Sequence, residues 1–136
     1  MQVTLENYQE LSEKTESKNF EEISTRITPE VIRLLHHAIG LATESGEILD
    51  QLKKHIFYGK PLDIINLEEE CGDASWYLAG FANTLKTTLK NIFQKNHNKL
   101  FSRYGEKFSQ NAAINRNLSR EREILEETYI DEDRPY

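Results

Sequence analysis

The sequence predicts an all-α fold, built like a four-helix bundle with a short extra helix near the C-terminus. Three observations carry this. Apolar residues recur at helical spacing over most of the chain. Three Pro and six Gly in 136 residues are too few for a turn-rich β fold. Hydrophobic residues make up 38% and charged residues 29%, a balance that suits helices, because each needs one apolar stripe and leaves the rest of its circumference to charge.

Each element has its own signals. Residues 4–16 read as a first helix, with Leu5, Tyr8 and Leu11 at helical spacing. A polar stretch from Glu16 to Arg26 follows. Thr28 is placed to cap a second helix, Pro29 suits its first position, and Glu30 complements the dipole. The stripe of this helix runs through Leu34, Leu35, Ile39, Leu41, Ile48, Leu49, Leu52 and Ile56. It ends near Tyr58-Gly59-Lys60-Pro61, where Gly supplies a C-terminal cap and Pro cannot continue. The third helix is expected from Asn66, with Glu69 as capping-box partner and a stripe of Leu67, Cys71, Ala74, Leu78, Phe81, Ala82 and Leu85. A fourth runs from Thr88 to Arg103 and stops at Tyr104-Gly105. Residues 1–108 form the expected domain, and 109–136 a C-terminal extension with a short charged helix over Leu118–Glu127 and an acidic tail. Helices this long around so small a core call for a partner subunit to cover their apolar faces.

Bulk properties exclude several functions. A net charge of −6 makes a poor generic binder of nucleic acid, which needs a basic footprint. One cysteine, Cys71, permits no intrachain disulfide and is expected to be an inert core residue. No apolar run is long enough to span a membrane, and the N-terminus lacks a signal pattern, so the cytoplasm is the expected compartment.

Two carboxylate pairs stand out. Glu44 and Glu47 are three apart on the second helix, and Glu70 and Asp73 are three apart on the third, a spacing that shares a helix face. Most such pairs are solvated surface. These four differ, because none has a Lys or Arg three or four positions away, and all lie beside the apolar stripes. Gly40, Gly46 and Gly72 also interrupt helices nearby, at a cost of about 1 kcal/mol each against Ala; glycine there often admits a close approach to the backbone. Clustered carboxylates repel one another unless a cation neutralises them. An all-oxygen donor set selects a hard ion, Mg²⁺ or Mn²⁺. The chain has no Cys-x-x-Cys or His-Glu-x-x-His for zinc, and no Glu-x-x-His for a di-iron bundle.

Positive charge gathers elsewhere. Lys95, Lys99 and Arg103 are spaced four apart on the fourth helix, and Asn96 interrupts its apolar stripe. Lys53, Lys54 and Lys60 add charge around the end of the second helix. A solvated ridge is one reading. A site for a metal-bound polyphosphate is the other.

The runs Gly40-Leu41-Ala42-Thr43-Glu44-Ser45-Gly46-Glu47 and Glu69-Glu70-Cys71-Gly72-Asp73-Ala74-Ser75-Trp76-Tyr77-Leu78 resemble the MazG-like, all-α nucleoside triphosphate pyrophosphohydrolases. That family pairs Glu-x-x-Glu on one helix with Glu-x-x-Asp on the next. Lys53-Lys54, Phe57-Tyr58-Gly59-Lys60 and Asn96-x-x-Lys99-Leu100-x-x-Arg103-Tyr104 also look like it, so the resemblance covers about residues 30–108. It implies a Mg²⁺-dependent hydrolase that cleaves a nucleoside triphosphate to a monophosphate and pyrophosphate, working as a homodimer or homotetramer in nucleotide-pool control. It implies Glu44, Glu47, Glu70 and Asp73 as metal ligands, with Glu47 a candidate general base. It implies Asn96, Lys99 and Arg103 as nucleotide contacts, Lys54 and Lys60 as further phosphate contacts, and His37 as a contact near the base. In one departure, Thr43 stands where the family often has a further acid. Trp76 reads more readily as core than as part of a base pocket. The rival reading is a non-catalytic helical module of the same fold that binds nucleotide or protein.

Overall fold

The structure, a computed structural model, describes residues 4–127; the expected acidic tail lies outside them. The fold is all-α: among the described residues there are seven helices and no strand. The chain forms two compact units, Met1–Ile32 and Arg33–Tyr136, with the boundary inside the third helix.

The first unit holds α1 (Leu5–Thr15), α2 (Phe20–Thr25) and the first turn of α3 (Pro29–Tyr58). Thr4 caps α1 through a reciprocal capping box with Asn7. Helix α2 lies in the stretch that read as merely polar. Its one turn and a half carries too few apolar residues to show a period. Thr28 Oγ1 accepts the Val31 N–H at 3.3 Å, so the expected cap of α3 is present.

The second unit contains the rest of α3, α4 (Ile64–Thr84), α5 (Leu89–Tyr104), α6 (Gln110–Ile114) and α7 (Leu118–Glu126). Helix α3 stops at Tyr58 because Gly59 turns left-handed, with φ +65°, and the Lys60 N–H closes back on the Lys54 carbonyl at 3.2 Å. Helix α4 begins two residues before the expected Asn66. Asp63, not Asn66, is its cap, with a carboxylate that accepts the Asn66 N–H at 3.0 Å. Lys86 lies in the turn to α5 with a left-handed φ of 54°. Thr88 caps α5, and Gly105 ends it with φ +62°. Helices α6 and α7 pack on α5. The boundary drawn from sequence at 108/109 thus falls inside this second unit.

The apolar stripes have the expected period, but a single chain does not cover them. Among the described residues the buried hydrophobics are Ala82 and Ile124. Expected core residues such as Leu5, Leu35, Ile39, Leu49, Ile56 and Leu85 are all more than half exposed. The period shows which residues share a face, not what lies against that face. No helix among the described residues is long and apolar enough to cross a membrane.

Candidate metal centre

Helices α3 and α4 meet through His37, Gly40 and Glu44. The His37 ring is buried, 5.9 Å from the Phe81 ring and 6.2 Å from the Trp76 ring. A Cβ on Gly40 would collide with the Tyr77 ring, and one on Gly80 with His37. Two glycines, one on each helix, therefore let the aromatic rings press against backbone. Gly40 was expected to admit a close approach and does so; Gly46 and Gly72 have open space instead. Gly80 escaped the sequence reading. Trp76 and Cys71, expected in the core, are exposed, Trp76 by 62%. The packed face of α4 runs instead through Glu70, Tyr77, Phe81 and Ala82.

One turn beyond Gly40 this contact becomes acidic. Glu44, Glu47 and Glu70 bring carboxylate oxygens within 4.8 Å of one another. Glu70 is buried, at 4% exposure, Glu44 is half-buried, and Glu47 is exposed. Asn66, one turn earlier on α4, donates its side-chain N–H to Glu70 Oε1 at 2.9 Å, and its own Oδ1 is buried without a partner. Among the described residues, none of these three carboxylates forms an ion pair. Partial burial pushes the Glu44 carboxyl above its usual range; its hydrogen bond to Glu70 and the charges of Glu47, Glu70 and Asp73 push it further. Asp73 lies outside the tight group, yet its charge acts on Glu44.

This donor set suits a hard divalent cation. It offers three carboxylates, one of them buried and held by an amide. All the donor atoms on offer are oxygen, a set that hard divalent cations favour.

The expected cationic residues are differently placed. Lys54 lines an open groove on α3 together with Glu47, and its Nζ is 2.8 Å from Asp50 Oδ2. Lys53 pairs with the same carboxylate, and the two lysines hold Asp50 down to about 2. Lys60 is exposed, and its carbonyl lies 2.8 Å from His55 Nδ1. On α5, Asn96 is exposed and Lys99 half-buried. Arg103 is engaged: its Nε and Nη2 donate to Glu121 Oε1 and Oε2 at 2.8 and 2.7 Å. Arg116 donates to the same two oxygens at 3.3 and 2.6 Å. Glu121 is 6% exposed, and the two guanidiniums, Arg116 foremost, pull its carboxyl down to about 2. Sequence reading missed this partner because it lies 18 residues beyond Arg103 on another helix. The charged run Arg120-Glu121-Arg122-Glu123 gave no sign that one of its members is buried.

The chain is 38% identical over 88 residues to the Gene 37 protein of Mycobacterium phage L5, a match that covers 61% of this chain and 76% of the phage protein. The name of that protein states no activity. No protein-family profile matches the chain. No solved structure matches it either.

Proposed function

The chain belongs to the family of the Gene 37 protein of Mycobacterium phage L5, and we propose that it is a Mg²⁺-dependent nucleoside triphosphate pyrophosphohydrolase. The reading rests on the MazG-like motifs and, above all, on one observation: Glu44, Glu47 and Glu70 converge from two helices, and among the described residues none of them forms an ion pair. Glu44, Glu70 and Glu47 would hold the metal, with Asp73 close enough to add charge. When bound, Mg²⁺ supplies charge neutralisation on the phosphates and a more acidic water.

The residues of the chain divide the rest of the work. Asn66 fixes the Glu70 carboxylate with its amide N–H. Glu44 and Glu70 are engaged with each other through a hydrogen bond. Glu47 is the exposed member, and it takes the proton from the water that attacks the α-phosphorus as pyrophosphate leaves. Lys99 and Lys60 offset charge on the phosphates, and Lys54 joins them when it releases Asp50. Asn96 contacts the nucleoside; His37, expected near the base, is buried against the Phe81 and Trp76 rings and packs α3 on α4. The partners in this reading are a nucleoside triphosphate and further copies of the chain as a dimer or tetramer, with no nucleic acid polymer and no membrane. The task is control of a nucleotide pool in the cytoplasm.

One observation favours the second reading, a non-catalytic helical module: Arg103, a phosphate contact in the MazG-like pattern, is committed to Glu121. The test is pyrophosphate release from a panel of canonical and modified nucleoside triphosphates, with Mg²⁺ and with EDTA. Metal-dependent release that disappears in Glu47→Ala supports the enzyme. No release from any substrate leaves the binding module.

A further inference from the structure

Trp76 is the one tryptophan of the chain. Its indole is 62% exposed, yet two neighbours hold it. The Tyr77 ring stands edge-on to it at 5.1 Å and 88°, and the His37 ring lies at 6.2 Å and 69°. His36, exposed on α3, extends this group: its ring stacks on His37 at 5.6 Å and meets the Tyr77 ring edge-on at 6.1 Å. The residues that share the Trp76 face of α4, three and four positions away, are Gly72, Asp73, Ala79 and Gly80. None of the four has a large apolar side chain. A contiguous apolar patch would mark a protein contact. Small and acidic neighbours leave instead a single aromatic plane with room beside it, and a Cβ on Gly72 would meet nothing within 4 Å.

We propose that Trp76 is a stacking platform for the nucleobase of the substrate, a planar heteroaromatic ring with polar edges. The proposal rests on the nucleotide reading above and adds the residue that holds the base. Place is the first argument. Trp76 follows Glu70 by six residues on α4, about 9 Å along the helix axis, a length that a ribose and its α-phosphate bridge. Asp73 lies between them, and its charge reaches Glu44. A base on the indole therefore sends its phosphates toward the carboxylates. Chemistry is the second. The indole face stacks on any base without hydrogen-bond readout. Order is the third. Tyr77 and His37 hold the indole before a ligand arrives, so little side-chain freedom is lost on binding. His37 acts here through Trp76, as a positioning residue behind the platform.

The lone tryptophan supplies the test, because indole fluorescence of the full chain reports on Trp76 alone. The probes are α,β-methylene analogues of the four common ribonucleoside triphosphates and inorganic tripolyphosphate, each with Mg²⁺, with binding measured in parallel by calorimetry. At least one nucleotide analogue is expected to bind and to change the indole emission, and tripolyphosphate to leave it unchanged. Trp76→Ala is expected to weaken nucleotide binding by about tenfold or more and to leave tripolyphosphate binding as it was, whereas Trp76→Phe keeps most of the affinity. Nucleotide binding with no change in emission, an equal change with tripolyphosphate, or undiminished nucleotide affinity in Trp76→Ala overturns the platform and leaves the nucleotide reading standing. Binding of no analogue at all overturns both. Should Trp76→Ala fail to fold, the wild-type emission against tripolyphosphate decides.

Discussion

Two charged clusters in the same unit are built on opposite accounting. At the α3–α4 contact three carboxylates converge, none of them in an ion pair among the described residues, and one of them is driven toward its protonated form. Between α5 and α7 two guanidiniums converge on one buried carboxylate, whose oxygens each accept from both. The first cluster keeps its mutual repulsion, and the proposed metal site rests on that. The second is complete and holds α7 in place. Charge that is matched inside the chain is structure, and charge left unmatched at a packed contact is a candidate for chemistry. By that criterion Arg103 passes from the second class to the first.

The sharpest test is a pair of amide substitutions with opposite signs. Glu121→Gln removes the negative charge beneath two arginines and is expected to give the largest fall in melting temperature, with loss of helical signal from α7. Glu44→Gln removes repulsion, so it is expected to raise the melting temperature of the metal-free protein. Equal falls in both variants would erase the distinction.

A metal titration should give the next largest effect. Mg²⁺ at a hundred times its dissociation constant is expected to stabilise the wild type by about 2.7 kcal/mol, read as a shift in thermal unfolding, and Glu70→Gln should lose that shift. Stabilisation that survives in Glu70→Gln would place the ion elsewhere. Gly40→Ala should cost about 1–3 kcal/mol through overpacking against Tyr77, measured by chemical denaturation. Recovery in the double variant with Tyr77→Ala would assign the cost to that ring.

The smallest effect is on pH dependence, and here the clusters work in different windows. Glu44 binds its proton more tightly in the folded chain, so its contribution is present below the usual Glu range and is lost as pH rises through its raised pKa. Glu121 is depressed to about 2, so its contribution is present above that range and is lost as pH falls toward 2. Metal-free stability should therefore rise on mild acidification from neutrality and collapse in strong acid. Glu44→Gln should flatten the first limb alone, and Glu121→Gln the second.

How much of this was legible in the sequence depends on distance along the chain. The cap at Thr28, the start of α5 at Thr88 and the stop at Gly59 are local events, and they stand where the residues placed them. The convergence of Glu44, Glu47 and Glu70 was also readable, because two Glu at helical spacing on one helix need only one neighbour to become a cluster. Asp63 was overlooked as the cap of α4 because Asn66 offered a plausible capping box two residues inside the helix. The Arg103–Glu121 pair depends on how α7 folds back on α5, which no local pattern encodes. The exposure of Trp76 and Cys71 has the same origin: the period of α4 was read, but its phase toward α3 was set by the glycines that admit Tyr77 and His37.

The exposed apolar residues of α3 have a consequence beyond geometry. Among the described residues Ala82 and Ile124 are the buried hydrophobics, so cover for α3 would add apolar burial that the chain does not reach alone. If a second copy covers α3, folding and association become one equilibrium, and the melting temperature rises with protein concentration. Dilution alone would then lower the folded fraction.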